Sequence, residues 1–177
     1  MKMNEECEKM RYKKIDFNDV LQRVTLNNQE KMDEQNKICL VICDMNECNI
    51  NLLSLLYNTD SFCRLLNDYS RQEECLLIVF TNYTTTSFDK PKKCALLFEK
   101  GVLLGIQEEG AQLKDNMFTL FDTIVGRIAI FIEMDIYEKN LFYLAQAFDV
   151  ECVIIKTCDS ENLKENIDEC SFETIVL

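Results

Sequence analysis

Three carboxylates and two thiols stand where the sequence suggests chemistry. Asp44 directly follows the apolar run ICLVIC (38–43), and Glu133 and Asp135 directly follow RIAIFI (127–132). Runs of this kind read as buried strands, and ligands of open α/β sheets sit outside the carboxyl ends of the strands. A carboxylate there can take or give a proton. Asp44, Glu133 and Asp135 together can also offer oxygens to Mg²⁺. The plain alternative is a set of solvated strand ends that cap the next helix. Cys43, beside Asp44, and Cys158 are the candidate thiols. A thiolate is a strong nucleophile, but an adjacent carboxylate raises the thiol pKa, so Cys43 reads first as a buried core cysteine. Cys158, just past CVIIKT, reads as the more exposed of the two.

The composition removes other chemistries. The 177 residues include no histidine and no tryptophan. Without imidazole, neither a Ser-His-Asp nor a Cys-His arrangement can form, and His-based zinc sites are excluded. A Cys-only zinc site needs paired short knuckles, whereas Cys39, Cys43 and Cys48 are spaced for a strand and its exit. The charge is −12, from 19 basic and 31 acidic residues. Such a surface repels phosphate backbones and anionic lipid, so neither nucleic acid nor a membrane is expected as partner. Several of the ten cysteines lie inside apolar runs, as buried thiols do in a reducing compartment. The N-terminus lacks the apolar core of a signal peptide, and the expected location is the cytoplasm.

The elements that must position these residues alternate. Phe17, Val20, Leu21 and Val24 fall at helical spacing, as do Phe62, Leu65, Leu66 and Tyr69, with Asp60 or Ser61 as the cap. ICLVIC and CLLIVF (75–80) read as buried strands. CALLF (94–98) and VLLGI (102–106) read as a hairpin with Gly101 in a three-residue loop. MFTLFDT (117–123) and RIAIFI (127–132) read as a second strand pair turning near Gly126. Tyr137, Leu141, Leu144, Ala145 and Phe148 outline an amphipathic helix, followed by the strand CVIIK (152–156) and a last strand, FETIVL (172–177). One proline, four glycines and no linker predict a single domain over 1–177. The loop TNYTTTSFDKPKK (81–93) reads as a hairpin connection, its hydroxyls and the two lysines after Pro91 offering a substrate or partner loop as the alternative, and SENLKENIDE (160–169) reads as a solvated helix face.

Three segments carry a resemblance. Gly126-Arg-Ile-Ala-Ile-Phe-Ile-Glu-Met-Asp135, followed by IYEKNLFYLAQAFDV and ECVIIKT, is similar to the strand, helix and strand that carry the nucleophile of the carbon–nitrogen hydrolase (nitrilase) family. KKCALLFEKGVLLG (92–105) resembles that family's hairpin, and ICLVICDMNECNI (38–50) its base-bearing strand. The resemblance covers about residues 12–158. It implies an α/β (α+β) fold, a nitrilase-like α-β-β-α sandwich with a mixed sheet, truncated at the C-terminal side, its first strand reduced to KKIDF (13–17).

The resemblance also implies a site and its loss. The family uses a glutamate base, a cysteine nucleophile and a lysine that stabilises the tetrahedral intermediate, and no cofactor is implied. Here the base position falls on Asp44 and the nucleophile position on Glu133. A carboxylate cannot form the thioester. The lysine register reads Gly105-Ile-Gln-Glu108-Glu109, with Lys114 out of register. The expectation is therefore a nitrilase-like pseudoenzyme acting as a binding or accessory module. The alternatives are an active amide or nitrile hydrolase with altered residues, and an acidic domain that binds a divalent metal. Family members pair through the helix after the nucleophile strand, so helix 136–149, with Tyr137, Phe142 and Tyr143 exposed, predicts a homo-oligomer.

Overall fold

The structure is a computed structural model, and it describes residues 11–26, 39–51, 61–85, 90–110, 118–159, 163, 167 and 170–177. Among the described residues, thirteen elements follow one another. They are β1 (Tyr12–Ile15), α1 (Phe17–Leu26), β2 (Leu40–Asn51), α2 (Ser61–Gln72), β3 (Leu76–Thr84), β4 (Lys92–Glu99), β5 (Val102–Glu108), β6 (Leu120–Thr123), β7 (Gly126–Ile132), a 3-10 turn (Glu133–Tyr137), α3 (Lys139–Ala147), β8 (Cys152–Lys156) and β9 (Glu173–Val176). Asp60, Lys114 and the acidic stretch 160–162 lie outside the described residues.

The strands form two mixed sheets. The first has the order β1-β2-β3-β4-β5 and the second β6-β7-β8-β9. In the first, β1, β2 and β3 run parallel, while β4 and β5 return antiparallel. In the second, β7, β8 and β9 run parallel and β6 runs against β7.

The central strands of both sheets are buried on both faces, which is why they read as unbroken apolar runs. Side chains alternate along each strand. Leu40 and Ile42 of β2, Leu76, Ile78 and Phe80 of β3, and Ala95 and Leu97 of β4 face inward. They meet Ile128, Ile130 and Ile132 of β7, with Ile154 of β8 and Ile175 of β9. The intervening residues Val41, Cys43, Leu77, Val79, Leu96 and Phe98 face outward and are covered by α1 and α2 through Val20, Cys63, Leu66 and Tyr69. On the far side, Ala129, Phe131, Val153 and Ile155 pack under Leu141, Phe142 and Ala145 of α3. The layers are helix, sheet, sheet, helix, as the resemblance implied.

Two local expectations change. The β4–β5 hairpin pairs Glu99 with Val102, so its loop has two residues, not three. Lys100 and Gly101 have φ of 50° and 83°, the pair of left-handed residues that a type I′ turn needs to match strand twist. A Cβ on Gly101 would lie 2.5 Å from Arg71 Nε, so this turn also seats against α2.

The expected helix 136–149 is the second change. Its first turn is 3-10, and the α-helix proper begins at Lys139. Three residues per turn instead of 3.6 shift the phase of everything upstream of it. Leu141, Phe142 and Ala145 therefore face the sheet, while Tyr137, Leu144 and Phe148 face out. Phe142, expected at the surface, is 2% exposed and meets Phe131 edge-on at 4.9 Å.

Ile130 is fully buried between the sheets. Truncation to alanine leaves a cavity there, and Ile130→Ala is expected to cost about 2–5 kcal/mol in urea unfolding. A loss below about 1 kcal/mol would mean that the two sheets do not close on each other at this position.

Candidate functional site: a charged cluster at the strand ends

The parallel strands β2, β3, β7 and β8 all end at one edge of the sandwich. Antiparallel β4 begins there and β5 finishes there, since Lys92 and Lys93 pair with Tyr83 and Asn82, and Cys94 pairs with Glu108. One edge thus collects Asp44 from the end of β2's regular pairing, Lys93 from β4, Glu108 from β5, Glu133 from β7, and Lys156 and Cys158 from β8.

Residue 133 occupies an unusual backbone position. Glu133 has φ of 46°, in the left-handed region that non-glycine residues avoid. A strand that turns through a left-handed residue into a helical turn forms an elbow and pushes that side chain out of the sheet. Asp135 holds this elbow. Its side chain is 1% exposed, and its Oδ2 accepts the Ile132 N–H at 2.8 Å while its Oδ1 accepts the Gly110 N–H at 2.9 Å. The carboxylate therefore ties the end of β7 to the segment leaving β5.

The Glu133 side chain is 17% exposed. Its Oε1 accepts from Lys93 Nζ at 3.0 Å, and its Oε2 accepts the Cys158 N–H at 3.2 Å. The Cys158 thiol lies 3.8 Å from Oε1. Partial burial pushes the carboxyl up, but the Lys93 ammonium and the Cys158 donors outweigh it and hold its pKa below the ordinary value. Lys93 responds in the opposite sense: burial pulls it down, and Glu133 with Glu109 raises it overall.

Asp44 is exposed at the mouth, and its Oδ2 accepts a hydrogen bond from Lys156 Nζ across the two sheets. A third group lies alongside. The Tyr83 hydroxyl donates to Glu108 Oε1, and Lys92 Nζ approaches Glu108 Oε2 at 3.7 Å. Burial, then the bond to Glu108, raises the Tyr83 pKa. Burial pushes the neighbouring Cys94 thiol up to about 12, with Glu108 adding to the effect.

This arrangement revises the sequence reading in two ways and agrees with it at Cys43. Asp44 and Glu133 do come to the same edge, but each is matched to a lysine. Asp135 points into the fold, so the Asp44–Glu133–Asp135 metal site does not form; among the described residues no group of three or more such side chains can hold a metal ion. Cys43 is fully buried on the helix side of β2 and is no nucleophile. The sequence does not mark Lys156 as a site residue, and it presents Lys93 only as part of the loop 81–93, not as the partner of Glu133. Lys156 ends a parallel strand and Lys93 lies near the start of β4, but each reaches its acid across a sequence separation that spacing does not encode.

Solved structures place this architecture. Nit3 of Saccharomyces cerevisiae, a member of branch 10 of the nitrilase superfamily, superposes with a TM-score of 0.56 at 14% identity, over 80% of this chain and 59% of that one. A carbon–nitrogen hydrolase from Helicobacter pylori G27 gives 0.55 at 13% identity, over 84% and 60%. An amidase from Nesterenkonia sp. gives 0.53 at 12% identity, over 84% and 60%. The chain therefore has the fold of nitrilase-superfamily carbon–nitrogen hydrolases, and it spans about three-fifths of their length. No protein-family model and no curated protein matches its sequence. Among the described residues, no helix is long and apolar enough to cross a membrane.

The Glu133 shift fixes a pH dependence. A carboxyl whose folded pKa is depressed adds stability above its unfolded pKa and loses it as pH falls through the folded value. Wild type should therefore exceed Glu133→Gln by up to about 1 kcal/mol at pH 7, a modest figure because Lys93 is half exposed. The two should converge below about pH 4. Urea midpoints across pH 3–8 measure this, and a constant gap would show that the charge of Glu133 is not the cause.

Proposed function

We propose that this chain is a single nitrilase-like domain over 1–177 that works as a binding or accessory module, without amide or nitrile hydrolysis by the family's thioester route. The observation that carries the reading is the left-handed elbow at residue 133. The side chain presented there is a carboxylate, already matched to Lys93 and to the Cys158 N–H. A carboxylate cannot become a thioester, and Asp44, in the base position, is paired with Lys156. What remains is an edge with alternating charge, acids at 44, 108 and 133 against lysines at 92, 93 and 156. Such an edge suits a small polar ligand whose own charges replace these pairings. The buried thiols Cys94 and Cys152 fit a reducing compartment, and we place the protein in the cytoplasm.

The test is ammonia release from a panel of small amides and nitriles. Wild-type protein should give none above the blank. Turnover that Glu133→Gln abolishes and Cys158→Ser leaves intact would overturn the reading, because residue 133 would then be catalytic after all.

The outer side of α3 suggests pairing with a second copy. Met134, Tyr137, Tyr143, Leu144 and Phe148 are 39–60% exposed around it, a concentration of apolar surface that contact between protomers would cover. Sedimentation equilibrium should show a dimer at micromolar concentration, converted to monomer by Tyr143→Glu with Phe148→Glu. A monomeric wild type at such concentrations would rule the dimer out.

A further inference from the structure

Two thiols stand side by side where β2 and β3 begin. Leu40 of β2 pairs with Leu76 of β3 in parallel register. The Leu76 N–H donates to the Cys39 carbonyl at 2.7 Å, which carries the ladder one step back and sets Cys39 beside Cys75. Leu40 and Leu76 face the inner layer, so the residues before them turn to the helix side. Cys75 belongs to that outer cluster and is fully buried, and Cys39 is half-buried beside it. Paired strands run about 4.7–4.9 Å apart, inside the Cα separation of roughly 4.4–6.8 Å that a disulfide spans.

The turn that delivers Cys75 is fixed. Its N–H donates to the Ser70 carbonyl at 3.2 Å, and Glu74 before it takes a φ of 47° between α2 and β3. The other strand thiols face different side chains in register. Cys43 stands opposite Ile15 and Val79, Cys94 opposite Thr81 and Glu108, and Cys152 opposite Ile128 and Glu173. Cys43 shares the outer face of β2 with Cys39, but four residues of strand put it about 13 Å further on. The fold therefore selects one couple, Cys39 with Cys75, and joins them from either side of α2.

We propose that Cys39 and Cys75 are a redox-switchable pair, closed to a disulfide by a low-molecular-weight disulfide such as oxidised glutathione. Cys39, the more accessible thiol, attacks one sulfur of the small disulfide as its thiolate. The small S–S bond breaks, one glutathione leaves with the electron pair and takes the proton, and a mixed disulfide remains on Cys39. Cys75 then attacks the Cys39 sulfur, and the second glutathione leaves with the Cys75 proton. Two protein thiols are oxidised and one small disulfide is reduced to two thiols. Closure ties the starts of β2 and β3 at the edge opposite the charged strand ends, so it acts on stability and is independent of what that charged edge binds. A reducing compartment keeps the pair open, and oxidation of the glutathione pool closes it.

The test equilibrates wild-type protein in glutathione buffers of rising disulfide content, then quenches with acid, alkylates and maps peptides by mass. A Cys39–Cys75 linkage should form. The oxidised-to-reduced glutathione ratio that half-closes it should be at least about ten-fold lower in native protein than in urea, where the fold no longer holds the sulfurs together. The linked form should melt about 5 °C or more above the reduced one, and a reductant should reverse the shift. Cys75→Ala should stop at a glutathione adduct on Cys39, and Cys39→Ser should leave Cys75 a thiol, which gives a second readout should the buried variant fold poorly. Cys158, exposed at the opposite edge, serves as the reference for simple adduct formation. A native end state without the Cys39–Cys75 linkage overturns the proposal, whether Cys39 stays a thiol, keeps its glutathione or links to another cysteine. So does equal closure in native and unfolded protein, or a linked form that melts no higher than the reduced one.

Discussion

Burial of the central strands of both sheets on both faces is the constraint from which the rest follows. Once β2, β3, β7 and β8 are covered by helices outside and by each other inside, no polar side chain can sit along their length without a costly unmet hydrogen bond. Charged groups are then confined to the strand ends. Parallel strands all finish on one side, so the acids that terminate them are gathered whether or not they share a task. The hairpins β4–β5 and β6–β7 bring in groups that a purely parallel sheet would not have there.

Gathering acids at one edge creates a second requirement. Asp44, Glu108 and Glu133 would repel one another if left unmatched, and each has a lysine partner: Lys156, Lys92 and Lys93. The fourth acid, Asp135, is handled differently. It turns inward and spends its two oxygens on the N–H groups of Ile132 and Gly110. That leaves the elbow firmly held, which is what allows Glu133 to sit at φ 46° despite its intrinsic cost of roughly 1–3 kcal/mol.

The sequence makes the layers readable because two-sided burial writes itself as continuous apolar runs. Strands cover Leu40–Cys43, Leu76–Phe80, Arg127–Ile132 and Cys152–Lys156 of these runs, and the helices before and after the first carry plain 3.6-residue spacing. Where it misleads, the cause is local geometry that spacing alone does not encode. Phe142 appears exposed only if one helix runs unbroken from residue 136; the 3-10 turn breaks that phase and buries it against Phe131. Lys100 gives no sign that it will take a left-handed φ, yet with Gly101 it shortens the hairpin loop. The positions of Asp44 and Glu133 were legible as strand ends. Their lysines were not, because Lys156 reaches Asp44 across sheets from 112 residues away, and Lys93 reaches Glu133 from 40.

The charge pattern of this edge has a consequence for how such a site changes. A family site with one acid, one thiol and one lysine is close to neutral when its thiol is protonated. Here acid stands at the end of β7 and around the end of β5, at Glu133, Glu108 and Glu109. Positive charge enters instead from Lys93, on the strand that pairs with β5, and from Lys156 on β8. The exposed thiol of Cys158 stands at the exit of β8. An acid, a thiol and a lysine from three different strands therefore lie at one edge. A fold that fixes an edge but not the residues on it permits such a gathering, since each group needs only a strand end that points the right way. At the elbow itself the Glu133 carboxylate is held by Lys93 on one side and by the Cys158 N–H on the other, so its position is set by β4 and β8 as much as by β7.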